Sequence, residues 1–262
     1  MDITILLDID GTLLDLSQKP TVDTLPVIIE RLKSKGVHFG LNSNRAFEDV
    51  EGVINEFGLD GPFILENGAY VINFDGSKNV LCQTDRHIQT VVLKELQNFD
   101  ANATVHVEDT TKLYTEKTKL ESTLNFYVNK YRKYTVSIHH RIGGISRYSI
   151  AVDVAAFLNS FFSENSFGLM AIPHEHGHSV TIEYVTCNKG SGIMKYRESH
   201  PNQQIFSIGD GINDVAQKDY VDKLYAVANA VPELKKVADH VSSLPITAGV
   251  EEILLCIEKE LE

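Results

Sequence analysis

A chain of 262 residues with 43% apolar and 23% charged residues can bury a large core, as one big or two modest domains. Its net charge of −12 argues against nucleic acid and anionic membranes as partners, and no apolar run approaches the roughly 18 residues of a membrane span. Three cysteines (Cys82, Cys187 and Cys256), far apart and odd in number, make neither a disulfide framework nor a zinc ribbon, so a reducing compartment is expected. Met1-Asp2 runs into the first strand without the basic start of a signal peptide, and the expectation is a soluble cytoplasmic protein.

The run Ile3-Thr4-Ile5-Leu6-Leu7 reads as a buried strand that ends abruptly in Asp8-Ile9-Asp10-Gly11-Thr12. A strand places residues i and i+2 on one face, so Asp8 and Asp10 are expected to project together from its C-terminal end. Two adjacent carboxylates repel unless a cation lies between them or one keeps a proton. By itself the pattern reads equally as an acidic strand-to-turn junction, with Gly11 supplying the turn.

Thr21 is expected to cap a helix carrying Val22, Leu25, Ile28, Ile29 and Leu32, stopped by Gly36. Val37 to Leu41 is a second buried strand, closed by Asn42-Ser43-Asn44-Arg45, and a helix with Phe47, Val50, Val53, Ile54 and Phe57 on its apolar stripe stops at Gly58. Pro62 to Leu65 is a third strand ending in Glu66-Asn67-Gly68, followed by a hairpin across Asp75-Gly76. Strand and helix alternating at this spacing predict a parallel sheet with right-handed crossovers.

The texture changes near Asp85. A helix from Ile88 to Phe99, strands at Thr104–Val107 and Tyr134–Ile138 flanking a Tyr-rich charged stretch, a segment Tyr148–Val152, a helix near Val154–Phe162 and a strand at Gly168–Ile172 predict an α+β insert with an antiparallel sheet. The insert is close to neutral while the remainder is strongly acidic. From Thr181 the α/β pattern is expected to resume, with strands at Val180–Tyr184, Ile205–Ile208, Leu224–Val227 and His240–Val241, and helices opening at Lys189, after Gly209-Asp210-Gly211-Ile212-Asn213-Asp214, and at Gly249. The predicted fold is therefore α/β, a Rossmann-like core (1–84 and 181–262) with a parallel sheet, interrupted by an inserted α+β domain (85–180).

Four separated elements are strand or helix ends decorated with small polar or charged groups: Asp8/Asp10, Ser43, Lys189 and Asp210/Asp214. A hard ion such as Mg²⁺ takes oxygen ligands, commonly one or two carboxylates plus substrate phosphate. Asp8 and Asp210 supply carboxylates, Ser43 a donor for a phosphate oxygen, and Lys189 a point charge at a helix start. An Asp also serves as a nucleophile, splitting one hard hydrolysis into two steps.

With these motifs in this order, the chain resembles the haloacid dehalogenase (HAD) superfamily over its whole body. The position of the insert, just beyond Glu66-Asn67-Gly68-Ala69, resembles that of the class IIB cap of Cof-like sugar phosphatases, archaeal-type phosphoglycolate phosphatases and mannosyl-3-phosphoglycerate phosphatases. The resemblance implies that Asp8 is the nucleophile and a Mg²⁺ ligand. It implies that Asp10 protonates the leaving oxygen and then activates water, its main-chain carbonyl also holding Mg²⁺, and that Asp210 is the third protein ligand. Ser43, Asn44 and Lys189 are implied in phosphate binding, and Asn213 and Asp214 in supporting the metal shell and Lys189. An Asp at the position of Asp10 implies a phosphatase rather than a dehalogenase. Asn44 stands where the family usually has Gly, and Asn tolerates left-handed backbone better than most residues.

The weaker signals carry two readings each. Arg45 is expected to contact the substrate or the cap, or else to pair on the surface with Glu48 or Asp49. Asn67 is a candidate for the site rim or a plain turn residue. His174-Glu175-His176-Gly177-His178 reads as a polar hinge loop, with His178 as the substrate-contacting alternative, and His139-His140-Arg141 before Gly143-Gly144 as a specificity loop or an exposed turn. The expected function is a Mg²⁺-dependent phosphatase acting, through an aspartyl phosphate, on a small phosphate ester such as a sugar phosphate, phosphoglycolate or mannosyl-3-phosphoglycerate. The alternatives are a phosphomutase of phosphomannomutase type and a non-catalytic phosphometabolite-binding protein.

Overall fold

A computed structural model describes residues 3–82, 86–110, 122–174 and 177–261. In chain order the elements are β1 (Ile3–Leu7), α1 (Leu25–Lys33), β2 (Val37–Asn42), a 3-10 turn (Phe47–Asp49), α2 (Glu51–Phe57), β3 (Phe63–Leu65), β4 (Tyr70–Ile72), β5 (Lys78–Val80), α3 (Arg86–Phe99), β6 (Thr104–Glu108), β7 (Leu124–Asn129), β8 (Val136–Ile142), α4 (Tyr148–Glu164), β9 (Leu169–His174), β10 (Ser179–Tyr184), α5 (Lys189–Ser199), β11 (Gln204–Gly209), a 3-10 helix (Ile212–Tyr220), β12 (Lys223–Ala226), α6 (Pro232–Val237), β13 (His240–Val241) and α7 (Ile246–Glu260). They divide into two compact units, Met1–Leu81 with Cys187–Glu262, and Cys82–Thr186.

The first unit is an eight-stranded sheet in the order β13-β12-β11-β1-β2-β3-β4-β5. It is parallel from β13 to β3, and antiparallel from β3 through the β4–β5 hairpin. All five residues of β1 are buried, as a central strand covered on both faces requires. β1 pairs on one side with β2 and on the other with β11, so the strand order reverses beside it. That reversal is a topological switch point, where open α/β sheets bind ligands at their C-terminal strand ends. Helix α1 starts at Leu25, later than Thr21, because Pro26 presets the first helical turn while the Thr21 N–H donates to Thr247 Oγ1 at 2.9 Å. Gly58, in the left-handed conformation, stops α2 as its sequence position predicts. The short α6 was not anticipated.

The second unit is a five-stranded sheet, order β6-β7-β8-β10-β9, with β6–β7 parallel and the other pairs antiparallel. Its core packs Val92 and Leu96 of α3 and Leu158 and Phe162 of α4 with Phe126, Ile138 and Ile182 from the strands. Four expectations change here. Leu124–Asn129, inside the Tyr-rich stretch, is a strand whose Leu124, Phe126 and Val128 join that core. The helix expected near Val154–Phe162 starts earlier, Tyr148–Val152 forming the first turns of α4, where Ala151, Val154, Ala155 and Leu158 are buried. Val180–Tyr184 belongs to this sheet, paired with β8 and β9, rather than to the parallel one. His139-His140-Arg141 lies within β8, not in a loop, and the turn falls on Gly143 and Gly144, both at positive φ. Tyr114, Glu175 and His176 lie outside the described residues.

No helix among the described residues is long and apolar enough to cross a membrane. Cys256 is free and exposed, whereas Cys82 and Cys187 are disulfide-bonded.

Candidate active site

At the end of β1 the chain keeps its sheet pairing for one more residue, Asp8 N–H donating to Ile208 O at 3.0 Å, and then turns. The Leu13 and Leu14 N–H groups both return to Ile9 O at 2.9 Å, and Gly11 N–H reaches Leu14 O at 2.9 Å. Gly11 has φ +86°, and a Cβ there would lie 2.2 Å from Asp210 Oδ2, so both backbone and space require glycine. The tight turn gives Asp8 and Asp10 unequal surroundings, where strand alternation alone had them alike. Asp8 is buried and Asp10 is exposed.

Asp8 meets Lys189, the first residue of α5, which follows the capping box of Asn188 and Ser191. The Lys189 ammonium is wholly buried and donates to Asp8 Oδ1 at 2.5 Å and Asp214 Oδ1 at 2.6 Å. Burial alone would pull this lysine down; the charges of Asp214 and Asp8 outweigh it and hold it above its ordinary value. Burial pushes Asp8 well up, with Lys189 opposing and Asp214 and Asp210 adding repulsion. Asp210, at the end of β11, is pushed up to about 6, first by burial and then by the Asp214 charge, against the Thr12 hydrogen bond.

Asp214 is saturated. Its Oδ1 accepts from Lys189 Nζ and from Gln217 Nε2 at 2.7 Å, and its Oδ2 from the N–H groups of Asp210 at 3.1 Å and Gly211 at 2.9 Å. A carboxylate so occupied organises the Gly209–Gly211 turn and Lys189. Gly209 permits the fit, since a Cβ there would lie 2.4 Å from Asp214 Cγ. Gln217 Oε1 accepts from Asn42 Nδ2 at 2.9 Å and Ser207 Oγ at 2.6 Å, extending a fully buried network that the sequence reading missed. Its one sequence signal is the i+3 spacing of Gln217 from Asp214. Asn213 is half-buried beside it, its Oδ1 turned back toward Gly211.

Ser43, just past β2, is buried; its N–H donates to Ile64 O at 2.9 Å and its Oγ accepts from Arg45 N–H at 3.2 Å. Asn67 N–H donates to Ser43 O at 3.1 Å and Glu66 N–H to Arg45 O at 3.0 Å, stitching the β3 end to the β2 end. Glu66, Asn67 and Gly68 form three successive left-handed residues with φ of 47°, 57° and 85°. Such backbone costs on the order of 1–3 kcal/mol per non-glycine residue and concentrates at functional sites. Asn44 is half-buried and is not among the left-handed residues, so Asn in place of Gly costs nothing there.

Arg45 turns to Asp10. Its guanidinium grips Asp10 through both forks, Nε to Oδ2 at 2.9 Å and a terminal nitrogen to Oδ1, and also donates to Gln18 Oε1. Desolvation pushes Asp10 up, but the Arg45 hydrogen bonds and charge, with Gln18, outweigh it and hold the carboxyl below its ordinary value. His178 belongs to the second unit, at φ 46°, and its Nδ1 shares a hydrogen bond of 3.0 Å with Ser146 Oγ.

Asp8, Asp210 and Asp214 offer carboxylate oxygens within 4.8 Å of one another. The donor set suits a hard divalent cation: only oxygens, in a cluster whose negative charge Lys189 offsets in part. Because Asp214 is already saturated, Asp8 and Asp210 are the carboxylates free to ligate.

The family model of haloacid dehalogenase-like hydrolases matches residues 5–254. The chain belongs to that family. This HAD-like hydrolase is 27% identical to a phosphoglycolate phosphatase of Staphylothermus marinus over 259 residues, 97% of this chain and 96% of the relative. It is 24% identical to an HMP-PP phosphatase of Yersinia pseudotuberculosis over 87% of this chain and 85% of that one. Among solved structures, a haloacid dehalogenase-like hydrolase from Bacteroides thetaiotaomicron superposes with a TM-score of 0.74 at 16% identity, covering 99% of each chain, a likeness of fold. Family and relatives make the protein a class IIB HAD phosphatase, a phosphoric monoester hydrolase.

Proposed function

We propose that this HAD phosphatase is Mg²⁺-dependent and hydrolyses a small phosphorylated metabolite through an aspartyl phosphate on Asp8. The observation that carries the reading is Asp8 buried at the switch-point end of β1, 2.5 Å from the Lys189 ammonium and within one oxygen cluster with Asp210. Asp8 and Asp210, with the Asp10 carbonyl, would hold Mg²⁺, which when bound neutralises phosphoryl and carboxylate charge.

An Asp8 carboxylate oxygen attacks phosphorus, the bond from phosphorus to the ester oxygen breaks, and Asp10, in its protonated form, delivers its proton to the departing alcohol. Asp10, now a carboxylate, takes a proton from water as that water attacks the aspartyl phosphate, releasing inorganic phosphate and restoring Asp8. Arg45 orients Asp10 for both transfers. Ser43, Asn44 and Lys189 bind the phosphoryl oxygens, Asn213 and Asp214 support them, and Asn67 lines the rim. The second unit acts as the cap that selects the leaving group, with His178 among its substrate contacts. The names of two full-length relatives favour phosphoglycolate, and a third relative's favours the mannosyl-3-phosphoglycerate class.

Purified protein is incubated with p-nitrophenyl phosphate and Mg²⁺, then with a panel of phosphorylated metabolites ranked by kcat/KM. Free phosphate without added sugar bisphosphate, lost in Asp8→Asn, is expected. No turnover, or turnover undiminished in Asp8→Asn, overturns the reading.

A further inference from the structure

Asn229, in the loop between β12 and α6, has no role in the motifs above, yet it touches both halves of the site. Its Nδ2 donates to Gly11 O at 2.8 Å and lies 3.5 Å from Asp210 Oδ2, long for a hydrogen bond but within electrostatic reach. Its Oδ1 accepts from Ile246 N–H at 2.9 Å. An N–H donor on one end and a carbonyl on the other leave the amide only one orientation.

The surroundings hold that amide in place. Ala228 N–H donates to Leu244 O at 3.0 Å, and Val231 N–H donates to Asp210 O at 2.8 Å, so the loop carrying Asn229 embraces the end of β11. Ile246, the donor to Asn229, sits at φ 55°, a costly conformation for a β-branched residue that persists only when neighbouring contacts dictate it. One residue on, buried Thr247 donates its hydroxyl to Leu13 O at 2.7 Å. The start of α7 therefore supports the turn after β1 at two points, Leu13 directly and Gly11 through Asn229. Asp210 in turn receives Thr12 Oγ1 on Oδ1 at 3.0 Å, with the Asn229 amide beside Oδ2.

We infer that Asn229 is a positioning residue: its amide locks the Gly11 turn to Asp210, fixing the separation of the Asp8 and Asp210 carboxylates and so the affinity for the divalent cation. The inference rests on the phosphatase reading of these two carboxylates. Groups that orient ligating carboxylates typically change metal affinity by roughly 10- to 100-fold when removed.

The test is Mg²⁺ binding by titration calorimetry on the full chain, alongside Tm in chelator and Mg²⁺-dependent turnover of p-nitrophenyl phosphate. Asn229→Ala and the near-isosteric Asn229→Leu are compared with the parent. Because the side chain is exposed, both variants are expected to keep their chelator Tm within a few degrees. Both should bind Mg²⁺ about 10- to 100-fold more weakly, with kcat largely restored at saturating Mg²⁺. Unchanged affinity in both variants, with a parent that binds and turns over, overturns the role of Asn229 alone. A parent that neither binds Mg²⁺ nor releases phosphate overturns the phosphatase reading, and this inference with it. Equal affinity loss and Tm loss, unrelieved by excess Mg²⁺, shows a merely structural residue and also overturns it.

Discussion

The Lys189 ammonium lies 2.5 Å from Asp8 Oδ1 and 2.6 Å from Asp214 Oδ1, with no exposed surface of its own. One buried cation thus joins the candidate nucleophile to a carboxylate that is otherwise tied to main-chain N–H groups. Removing it strands two buried carboxylates. Lys189→Met is expected to abolish turnover and to lower stability by about 3–5 kcal/mol, as loss of one partner from a buried pair does. Urea unfolding checks it; a loss below about 1 kcal/mol would mean Asp8 and Asp214 are held by other means.

Asp210 carries a different load. It crowds Asp8 and Asp214 while Thr12 Oγ1 donates to its Oδ1 at 3.0 Å. Relieving that repulsion with a cation or by removing the charge should have the same sign. Mg²⁺ is expected to raise the Tm of the parent and chelator to reverse it. Asp210→Asn should raise the Tm measured in chelator while erasing the Mg²⁺ response. A persisting Mg²⁺ shift in the variant would place the cation elsewhere.

Arg45 is expected to matter to chemistry rather than to stability. The pair with Asp10 is half exposed on the carboxylate side, and such pairs are worth about 0–1 kcal/mol. Arg45→Ala is therefore expected to leave urea stability nearly unchanged. It frees the Asp10 carboxyl, now held below its ordinary value, to rise toward it, so the kinetic limb belonging to Asp10 moves to higher pH. Arg45→Lys, lacking the fork, should fall between the two. An unshifted pH–rate profile in Arg45→Ala would separate Arg45 from proton transfer.

His140 makes the second unit sensitive to acid. Burial pulls it down to about 4, and its Nε2 accepts the Arg147 N–H at 3.1 Å, which an imidazolium could not do. The folded value lies below the unfolded one, so the unfolded chain binds more protons across this window. The stabilising contribution is complete above about pH 6.5 and is lost as pH falls toward about 4. Hydrogen exchange in β8 is expected to quicken over that range, and His140→Asn to weaken the dependence without removing it, because burial also pulls the adjacent His139 down to about 3. Exchange that is independent of pH after intrinsic correction would exclude His140 as the cause.

Much of the parallel unit was legible in the chain because its signals are local. A continuous apolar run ending at Asp8, a left-handed Gly58 after α2, and four polar strand or helix ends in order need no distant partner to be read. The second unit was less legible. Helix α4 starts earlier than expected, at Tyr148, and the pairing of β10 with β8 and β9, which local signals do not carry, assigns Val180–Tyr184 to the antiparallel sheet.

Within the site, the types of Asp8, Asp10, Ser43, Lys189 and Asp210 declared their chemistry from sequence, since a carboxylate, hydroxyl or ammonium is the same group wherever it stands. Their inequality was not declared. Only the folded chain turns sharply at Gly11, burying Asp8 against Lys189 and leaving Asp10 to Arg45. Likewise, only contacts across 198 residues, Thr12 to Asp210, and across 218, Asn229 to Gly11, decide where the second carboxylate stands. Residue type sets which chemistry is available; long-range hydrogen bonds and burial set which carboxylate meets the Lys189 ammonium, which pairs with Arg45 and which is saturated by its neighbours.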